Sequence, residues 1–191
     1  MIDGKFVLSS LLEGNKRFVN SFQEYPNQTR SIRLELKKGQ QPASIILGCS
    51  DSRVPPEIVF HQGLGDLFVI RVAGNGIDDV VLGSIEYAAK HLHVSLLMVL
   101  GHSDCGAVRA AMDDSELDGH LPSVTDTIKE AVQGLKGISD YYDDVVKAQV
   151  KITANHLRES KPILADLFDS GRLLVESAFY DFDTGLVEIL E

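Results

Sequence analysis

Residues 43–54 read ASIILGCSDSRV, a short apolar run that ends at a cysteine and continues as a polar loop. Two further apolar runs follow, DLFVIRV at residues 66–72 and VSLLMVLG at residues 94–101, and a helical pattern over residues 80–91 lies between them. Short apolar runs that alternate with helices are typical of a parallel sheet whose two faces are covered. We therefore predict an α/β fold with a mostly parallel central β-sheet flanked by helices.

The N-terminal part of the chain is predicted to form a helical arm. Large apolar residues recur there at near-helical spacing, namely Phe6, Leu11, Leu12 and Phe18. A Pro/Asn turn follows at residues 25–28, and a charged helix follows at about residues 31–38. Because such an arm buries little of its own surface, we expect residues 1–40 to pack on another element or on a partner subunit.

The C-terminal part is predicted to be helical from about residue 123 to residue 160, with a short further helix at residues 162–170. Residues 171–180 and 186–190 then flank the turn sequence DFDTG, a pattern that predicts a hairpin. We expect this antiparallel hairpin at an edge of the sheet. Residues 1–191 as a whole have the length of a single domain.

The composition is that of an acidic globular protein. Among 191 residues, 28 Asp and Glu outnumber 18 Lys and Arg, which gives a formal net charge of −10. Nucleic-acid affinity depends on Lys and Arg that neutralise phosphates, so we expect no nucleic-acid partner. The most apolar run has the length of a strand, which predicts no membrane span, and no signal peptide is recognisable. We expect a cytoplasmic location, with periplasmic or carboxysome-associated locations as alternatives.

Both cysteines of the chain follow apolar runs. Cys49 comes directly after the first predicted strand, and His102 and Cys105 come after the third. Ligand sites of open α/β sheets form at the carboxyl ends of strands, so these three side chains share one crevice if the strands are neighbours. Zinc prefers thiolate sulfur and imidazole nitrogen, and three protein ligands leave the open position of a catalytic site. The pattern predicts a zinc site.

Asp51 and Arg53 place two charges beside this site. Asp51 can orient the reacting water or occupy the fourth ligand position, and Arg53 projects to the same side of an extended segment. A bidentate pair between them would keep Asp51 ionised. Because two thiolates cancel the charge of a zinc ion, the ion acidifies water less than it would beside histidines alone. We therefore expect activity to rise toward alkaline pH.

Each of these features alone has a simpler interpretation. A cysteine at a strand end is more often a small buried apolar residue. An Asp-x-Arg pair is more often a structural ion pair, and a His-x-x-Cys pair is weak evidence for a metal. The combination, in which the only two cysteines have polar partners at ligand spacing, favours zinc.

The sequences CSDSRV at residues 49–54 and GHSDCGA at residues 101–107 resemble the paired signature of the β-class carbonic anhydrases. DLFVIRVAGN at residues 66–75 and GSIEYAAKHL at residues 83–92 are also similar to that family. The resemblance implies one zinc ion per chain on Cys49, His102 and Cys105. It also implies a dyad in which Asp51 can swing onto the zinc in a closed, inactive state and Arg53 releases it in the open state.

The resemblance further implies a substrate pocket. Gln40 matches a glutamine that hydrogen-bonds bicarbonate, and Phe68 and Tyr87 match aromatic residues that line the pocket partly across a dimer interface. Gly106 matches a backbone contact near the reacting oxygen. Ala73 replaces a pocket valine of plant-like members, which predicts a roomier wall. The simpler interpretations are that Phe68 and Tyr87 belong to the core and that Gln40 is a solvated loop residue.

Two positions bear on regulation by bicarbonate. In one bacterial subgroup of the family, a tryptophan three residues before the first zinc cysteine helps to form an inhibitory bicarbonate site. Ile46 occupies that position here, and the chain contains no Trp. Arg71 matches another residue of that site, but alone it is interpreted as structural. We therefore expect weak or absent regulation of this kind.

The function that these features predict is the reversible hydration of carbon dioxide to bicarbonate and a proton. A related zinc hydrolase of carbon disulfide or carbonyl sulfide would use the same metal site. A non-catalytic zinc-binding assembly protein would keep Asp51 on the metal. A nucleotide-binding module is disfavoured because residues 74–76 are too short for a phosphate-binding fingerprint. The resemblance also implies a homodimer or a tetramer built from dimers.

Overall fold

The computed structural model describes residues 3–22, 26–113, 117–137 and 142–191. In this part of the chain, one five-stranded sheet has the order β2-β1-β3-β4-β5. The pairs β2–β1, β1–β3 and β3–β4 are parallel, and β4–β5 is antiparallel. The strands are β1 Ser44–Gly48, β2 Leu67–Arg71, β3 Leu96–His102, β4 Leu174–Tyr180 and β5 Val187–Ile189. The mostly parallel sheet and the antiparallel edge hairpin are thus confirmed.

Helices occupy the N-terminal part of the described chain and the connections between the parallel strands. The first helix begins after the cap Asp3, whose side chain accepts a hydrogen bond from the Lys5 N–H, and Asp78 caps α4 in the same way. The helices are α1 Gly4–Val19, α2 Arg30–Glu35, α3 Pro56–Val59, α4 Asp79–His91, α5 Gly106–Met112, α6 Leu121–Asp126, α7 Lys129–Leu135, α8 Tyr142–Glu159 and α9 Leu164–Asp169.

Both faces of the sheet are covered, because successive side chains of a strand point to opposite sides. Ile45, Leu47 and Val99 belong to one apolar cluster, which also contains side chains of α4, α5, α7, α8 and α9. Ile46 and Met98 belong to the other cluster, on the side of α1 and α3. Every residue of β1 and β3 is buried, which explains why the sequence shows continuous apolar runs there.

The N-terminal arm packs partly on its own chain. Val7 and Leu11 of α1 are almost fully buried in the cluster that covers the α1 side of the sheet. Phe6, in contrast, lies on the outer side of α1 with 68% of its surface exposed. Helix α2 has no buried residue. Packing of the arm on a partner subunit therefore stays a prediction, and it concerns these outer surfaces.

The predicted C-terminal helix is interrupted. Residues 121–159 contain three helices, α6, α7 and α8, instead of one continuous helix from residue 123. Helix α7 is followed by Gly137 with a φ of 75°, a conformation that commonly ends helices. Residues 138–141 lie outside the described residues, as does Tyr25 of the predicted Pro/Asn turn. No described helix is long and apolar enough to cross a membrane.

Candidate metal centre

The structure brings Cys49, His102 and Cys105 together at one edge of the sheet. Strands β1 and β3 are parallel neighbours, so the residues that follow them meet in one crevice. Cys49 follows the last residue of β1, His102 ends β3, and Cys105 directly precedes α5. All three side chains are buried, and their ligand atoms lie within 4.8 Å of one another. The predicted ligand set thus converges within a single chain.

The imidazole of His102 is oriented for a metal. Its Nδ1 lies 2.8 Å from the backbone carbonyl of Ser103, which fixes the tautomer with the proton on Nδ1. Its Nε2, in a fully buried ring, has no hydrogen-bond partner among the described residues. Buried polar atoms are rarely left without a partner. The sulfurs of Cys49 and Cys105 lie within 4.8 Å of the ligand nitrogen, so a metal ion between the three atoms would satisfy it. The residues therefore fit zinc, which takes imidazole nitrogen and thiolate sulfur.

The pKa values of the two buried thiols shift in opposite directions. Cys105 hydrogen-bonds to the sulfur of Cys49, which lowers the pKa of Cys49 to about 4 although burial opposes this shift. His102 and the backbone N–H of Gly74 lower it further. The same hydrogen bond, together with burial, raises the pKa of Cys105 above its ordinary value. Zinc binding requires thiolates, so binding of the ion would release the protons that the two sulfurs hold.

Asp51 and Arg53 form a bidentate ion pair beside the three ligands. Nε and an Nη of Arg53 donate to the two carboxylate oxygens at 2.9 and 2.7 Å, and the Arg53 backbone N–H donates to Oδ1 at 3.0 Å. The Arg53 hydrogen bond lowers the pKa of Asp51 to about 2. Oδ2 of Asp51 lies 4.0 Å from Nε2 of His102. A carboxylate held ionised by Arg53 therefore faces the metal ligands.

Phe182 is a neighbour of this site that sequence reasoning missed. The Arg53 guanidinium carbon lies 4.4 Å from the centroid of the Phe182 ring, and the ring also meets His102 edge-on at 5.5 Å. Phe182 follows β4, in the turn of the C-terminal hairpin. The sequence DFDTG predicts the turn that contains Phe182. No local pattern, however, relates Phe182 to Arg53 or His102, which are distant in the chain. The fold alone places it against the centre.

Arg71 also supports the loop that carries Cys49. Its guanidinium group donates to the backbone carbonyl of Cys49 at 2.9 Å and to that of Asp51. These contacts agree with the structural interpretation of Arg71. Ile46, which stands where one subgroup has tryptophan, is completely buried.

The predicted pocket residues fall into two groups. The Phe68 and Tyr87 rings are neighbours with centroids 6.3 Å apart, and Tyr87 is 47% exposed. Ala73 lies in the turn that follows β2, and Gly106 is the first residue of α5. Gln40 instead lines a surface cavity of about 600 Å³ beside Leu36 and Leu64 and the arm of the chain. Neither Phe68 nor Tyr87 lines this cavity.

Comparison with known proteins identifies the family. The sequence profile of the carbonic anhydrases matches residues 44–187, which include every residue of the metal centre. Its β class is the one whose solved structures share this fold. The chain belongs to the β-class carbonic anhydrase family. The metal of this class is zinc, in agreement with the ligand set described above.

Similar proteins of the family are bacterial, fungal and algal. Carbonic anhydrase 2 of Mycobacterium tuberculosis is 39% identical over 181 residues, which cover 92% of this chain and 87% of that protein. Carbonic anhydrase of Mycolicibacterium smegmatis is 37% identical over 94% of this chain and 90% of its own. A tetrameric β-carbonic anhydrase of Sordaria macrospora has a TM-score of 0.77 at 26% identity, with 96% of each chain covered. The Coccomyxa β-carbonic anhydrase solved with acetazolamide has a TM-score of 0.76 at 28% identity, covering 96% and 86%.

Proposed function

We propose that this protein catalyses the reversible hydration of carbon dioxide to bicarbonate and a proton, with one zinc ion per chain on Cys49, His102 and Cys105. The observation that supports this most directly is the unpartnered Nε2 of His102, buried beside two cysteine sulfurs and facing an ionised Asp51. A zinc ion on these ligands would supply Lewis-acid activation of water. The protein supplies the ligands, the charges and the orientation of the reactants.

Asp51 and Arg53 are proposed to be the catalytic pair. Asp51 holds its carboxylate at the edge of the ligand cluster, where it can accept a hydrogen bond from the reacting water and orient the lone pair of that water. Arg53 binds both carboxylate oxygens and thereby keeps Asp51 ionised and turned toward itself. Closure of Asp51 onto the metal would require this bidentate pair to open first.

The pocket assignment remains a proposal that extends beyond one chain. Phe68 and Tyr87 offer an apolar wall suited to carbon dioxide, and Gly106 and Ala73 lie on segments beside the cysteine ligands. Gln40 offers an amide suited to bicarbonate, but it lines a different surface of the same chain. We propose that a second chain brings the two groups together in a homodimer. The tetrameric relative from Sordaria macrospora supports the proposal that this chain forms an oligomer. A tetramer built from dimers is the proposed alternative to a simple homodimer.

The competing functions are less well supported. Intact pairing of Asp51 with Arg53 is not needed by a purely structural zinc site, whose fourth ligand would be Asp51 itself. Relatives similar over nearly the whole chain are named carbonic anhydrases, and this disfavours a hydrolase of carbon disulfide or carbonyl sulfide. For the compartment, we propose the cytoplasm. Two unpaired ligand cysteines favour a reducing environment over the periplasm.

The test is stopped-flow hydration of carbon dioxide at about pH 8.5, with zinc content measured on the same sample. Wild type should hydrate carbon dioxide with one zinc ion per chain. Cys49→Ser should lose both, whereas Ser52→Ala, an exposed change in the same loop, should keep both. A protein that is prepared with excess zinc and still holds none would contradict the metal centre. Bound zinc without hydration, combined with turnover of carbon disulfide, would instead support the hydrolase.

A further inference from the structure

Asn75 lies in the turn after β2 and is not one of the metal ligands. Its side chain is 3% exposed, and its backbone has a φ of 57° in the left-handed region. The backbone N–H of Asn75 donates to the carbonyl of Val72, which closes the turn. Asparagine tolerates this conformation better than most residues. The turn therefore delivers the Asn75 side chain into the interior of the protein.

The amide of Asn75 bridges the two strands that carry the metal ligands. Its Nδ2 donates to the carbonyl of Leu47 in β1 at 3.0 Å and to that of Leu100 in β3 at 2.7 Å. An amide nitrogen has two N–H donors, so both are used. Leu47 lies two residues before Cys49, and Leu100 lies two residues before His102. The Asn75 side chain is thus bonded to two carbonyls, and each of these lies two residues before a metal ligand.

The bridge stands where the pairing of the strands ends. The β1–β3 register runs to Gly48 opposite Leu100, and beyond this pair the two strands share no ladder, while β3 stays paired with β4 as far as His102. The distance between Cys49 and His102 therefore depends on what holds the last paired residues. Both accepting carbonyls are fully buried, so they cannot turn to water instead.

We propose that Asn75 is a positioning residue for the metal centre, whose side-chain amide sets the separation of Cys49 and His102. This inference rests on the metal site of the proposed function. A buried asparagine could instead serve fold stability alone. The chain contains a close match for that alternative, because Asn15 is 1% exposed and its Nδ2 also donates to two carbonyls, those of Val59 and Gly185. Asn15 is thus the control for a bridging asparagine outside the centre.

The experiment compares Asn75→Gly and Asn15→Ala with wild type. Glycine keeps the positive φ without strain and removes the whole side chain with its amide. Zinc dissociation constants are measured by competition with a chromophoric chelator, and visible spectra are recorded with cobalt in place of zinc. Urea unfolding reports stability separately. Asn75→Gly should weaken zinc binding about 10- to 100-fold and shift the cobalt spectrum. Asn15→Ala should lose stability but keep zinc affinity within about twofold of wild type.

Wild-type zinc affinity and an unchanged cobalt spectrum in Asn75→Gly would overturn the inference, because the bridge would then be only structural. If Asn75→Gly does not fold, Asn75→Ser replaces it, since one hydroxyl donor can reach only one of the two carbonyls. Its zinc affinity should fall below that of wild type, and an unchanged affinity would again overturn the inference. Failure of wild type itself to bind zinc would instead overturn the proposed function, and the inference with it.

Discussion

Arg53 is fixed beside Asp51 by contacts of three kinds. Its guanidinium group binds both oxygens of the Asp51 carboxylate, donates to the backbone carbonyl of Asp104 at 3.3 Å, and covers the ring of Phe182. A planar fork of donors matches a carboxylate in a way that a single ammonium group cannot. The role of this residue therefore depends on its shape as well as on its charge.

Arg53→Lys should lower kcat/KM for carbon dioxide hydration by about tenfold or more, with zinc content unchanged. Lysine keeps the charge but loses the bidentate geometry that orients Asp51. Stopped-flow kinetics and metal analysis measure the two quantities. Arg172→Lys is the matched control, since the Arg172 side chain is exposed and its Nε donates to the Ser170 hydroxyl, away from the metal centre. Full activity of Arg53→Lys would show that charge alone suffices at this position.

At the scale of elements, helix α8 crosses β3 so closely that only glycine fits at position 101. A Cβ on Gly101 would lie 2.5 Å from Cγ2 of Val150 and 2.8 Å from Cγ1 of Val146, both in α8. Gly101 directly precedes His102 in β3. This helix therefore packs directly against the residue that precedes a metal ligand.

Gly101→Ala should lower the free energy of unfolding by about 1–3 kcal/mol, because the added methyl group overpacks a filled core. Urea denaturation of the purified variant measures the change. A matched change is Gly134→Ala in α7, where an added Cβ meets nothing within 4 Å. That variant should be neutral or slightly more stable, since alanine loses less backbone entropy on folding. Equal stability of the two variants would contradict the close crossing.

Glu176 in β4 makes stability depend on pH. Burial raises its pKa above the ordinary value of 4.5, although Arg158 and Lys5 oppose the shift. A raised carboxyl pKa means that the folded state holds the proton more tightly than the unfolded state does. The stability it contributes is full below pH 4.5 and is lost as pH rises through the raised pKa.

Glu176→Gln should therefore be more stable than wild type at pH 7 and lose this advantage at about pH 4. Urea denaturation of zinc-free protein at both pH values isolates the effect from metal release. Glu159→Gln, an exposed change in α8, should show the same difference from wild type at both values. A pH-independent gain in Glu176→Gln would mean that the carboxylate is not penalised by burial.

At the scale of the whole molecule, large apolar side chains remain on the surface of the single chain. Phe6 and Val80 are 68% and 76% exposed. Others among the described residues lie on α2, on α3 and on neighbouring loops, namely Leu34, Ile58 and Leu64. We propose that a partner subunit covers part of this apolar surface in the homodimer.

Phe6→Asp should shift the protein from dimer or tetramer toward monomer, because it places a charge in the proposed contact of the arm. Light scattering coupled to gel filtration measures the mass. Asn155→Asp adds the same charge to an exposed position of α8, outside the arm, and should leave the assembly intact. Monomeric wild type, or an unchanged assembly in Phe6→Asp, would contradict packing of this face on a partner.

The sequence by itself determined the sheet and the ligand set. Strands β1 and β3 are buried on both faces, so their apolar runs are continuous and easily recognised. The chain has only two cysteines, and each follows a predicted strand closely. Cys49, His102 and Cys105 could therefore be predicted as ligands without a structure. The Asp51–Arg53 pair was readable too, because its members are two residues apart.

Only the tertiary structure decided the contacts between distant segments. The turn at Asn75 bridges β1 and β3, and Phe182 from the C-terminal hairpin packs on Arg53, yet no local pattern joins these residues. The break between α6 and α7 was equally hidden, because the two residues between these helices, Thr127 and Ile128, are neither Gly nor Pro. Periodicity reports which face of an element is buried, whereas the partner that covers that face is set by the packing of the whole chain.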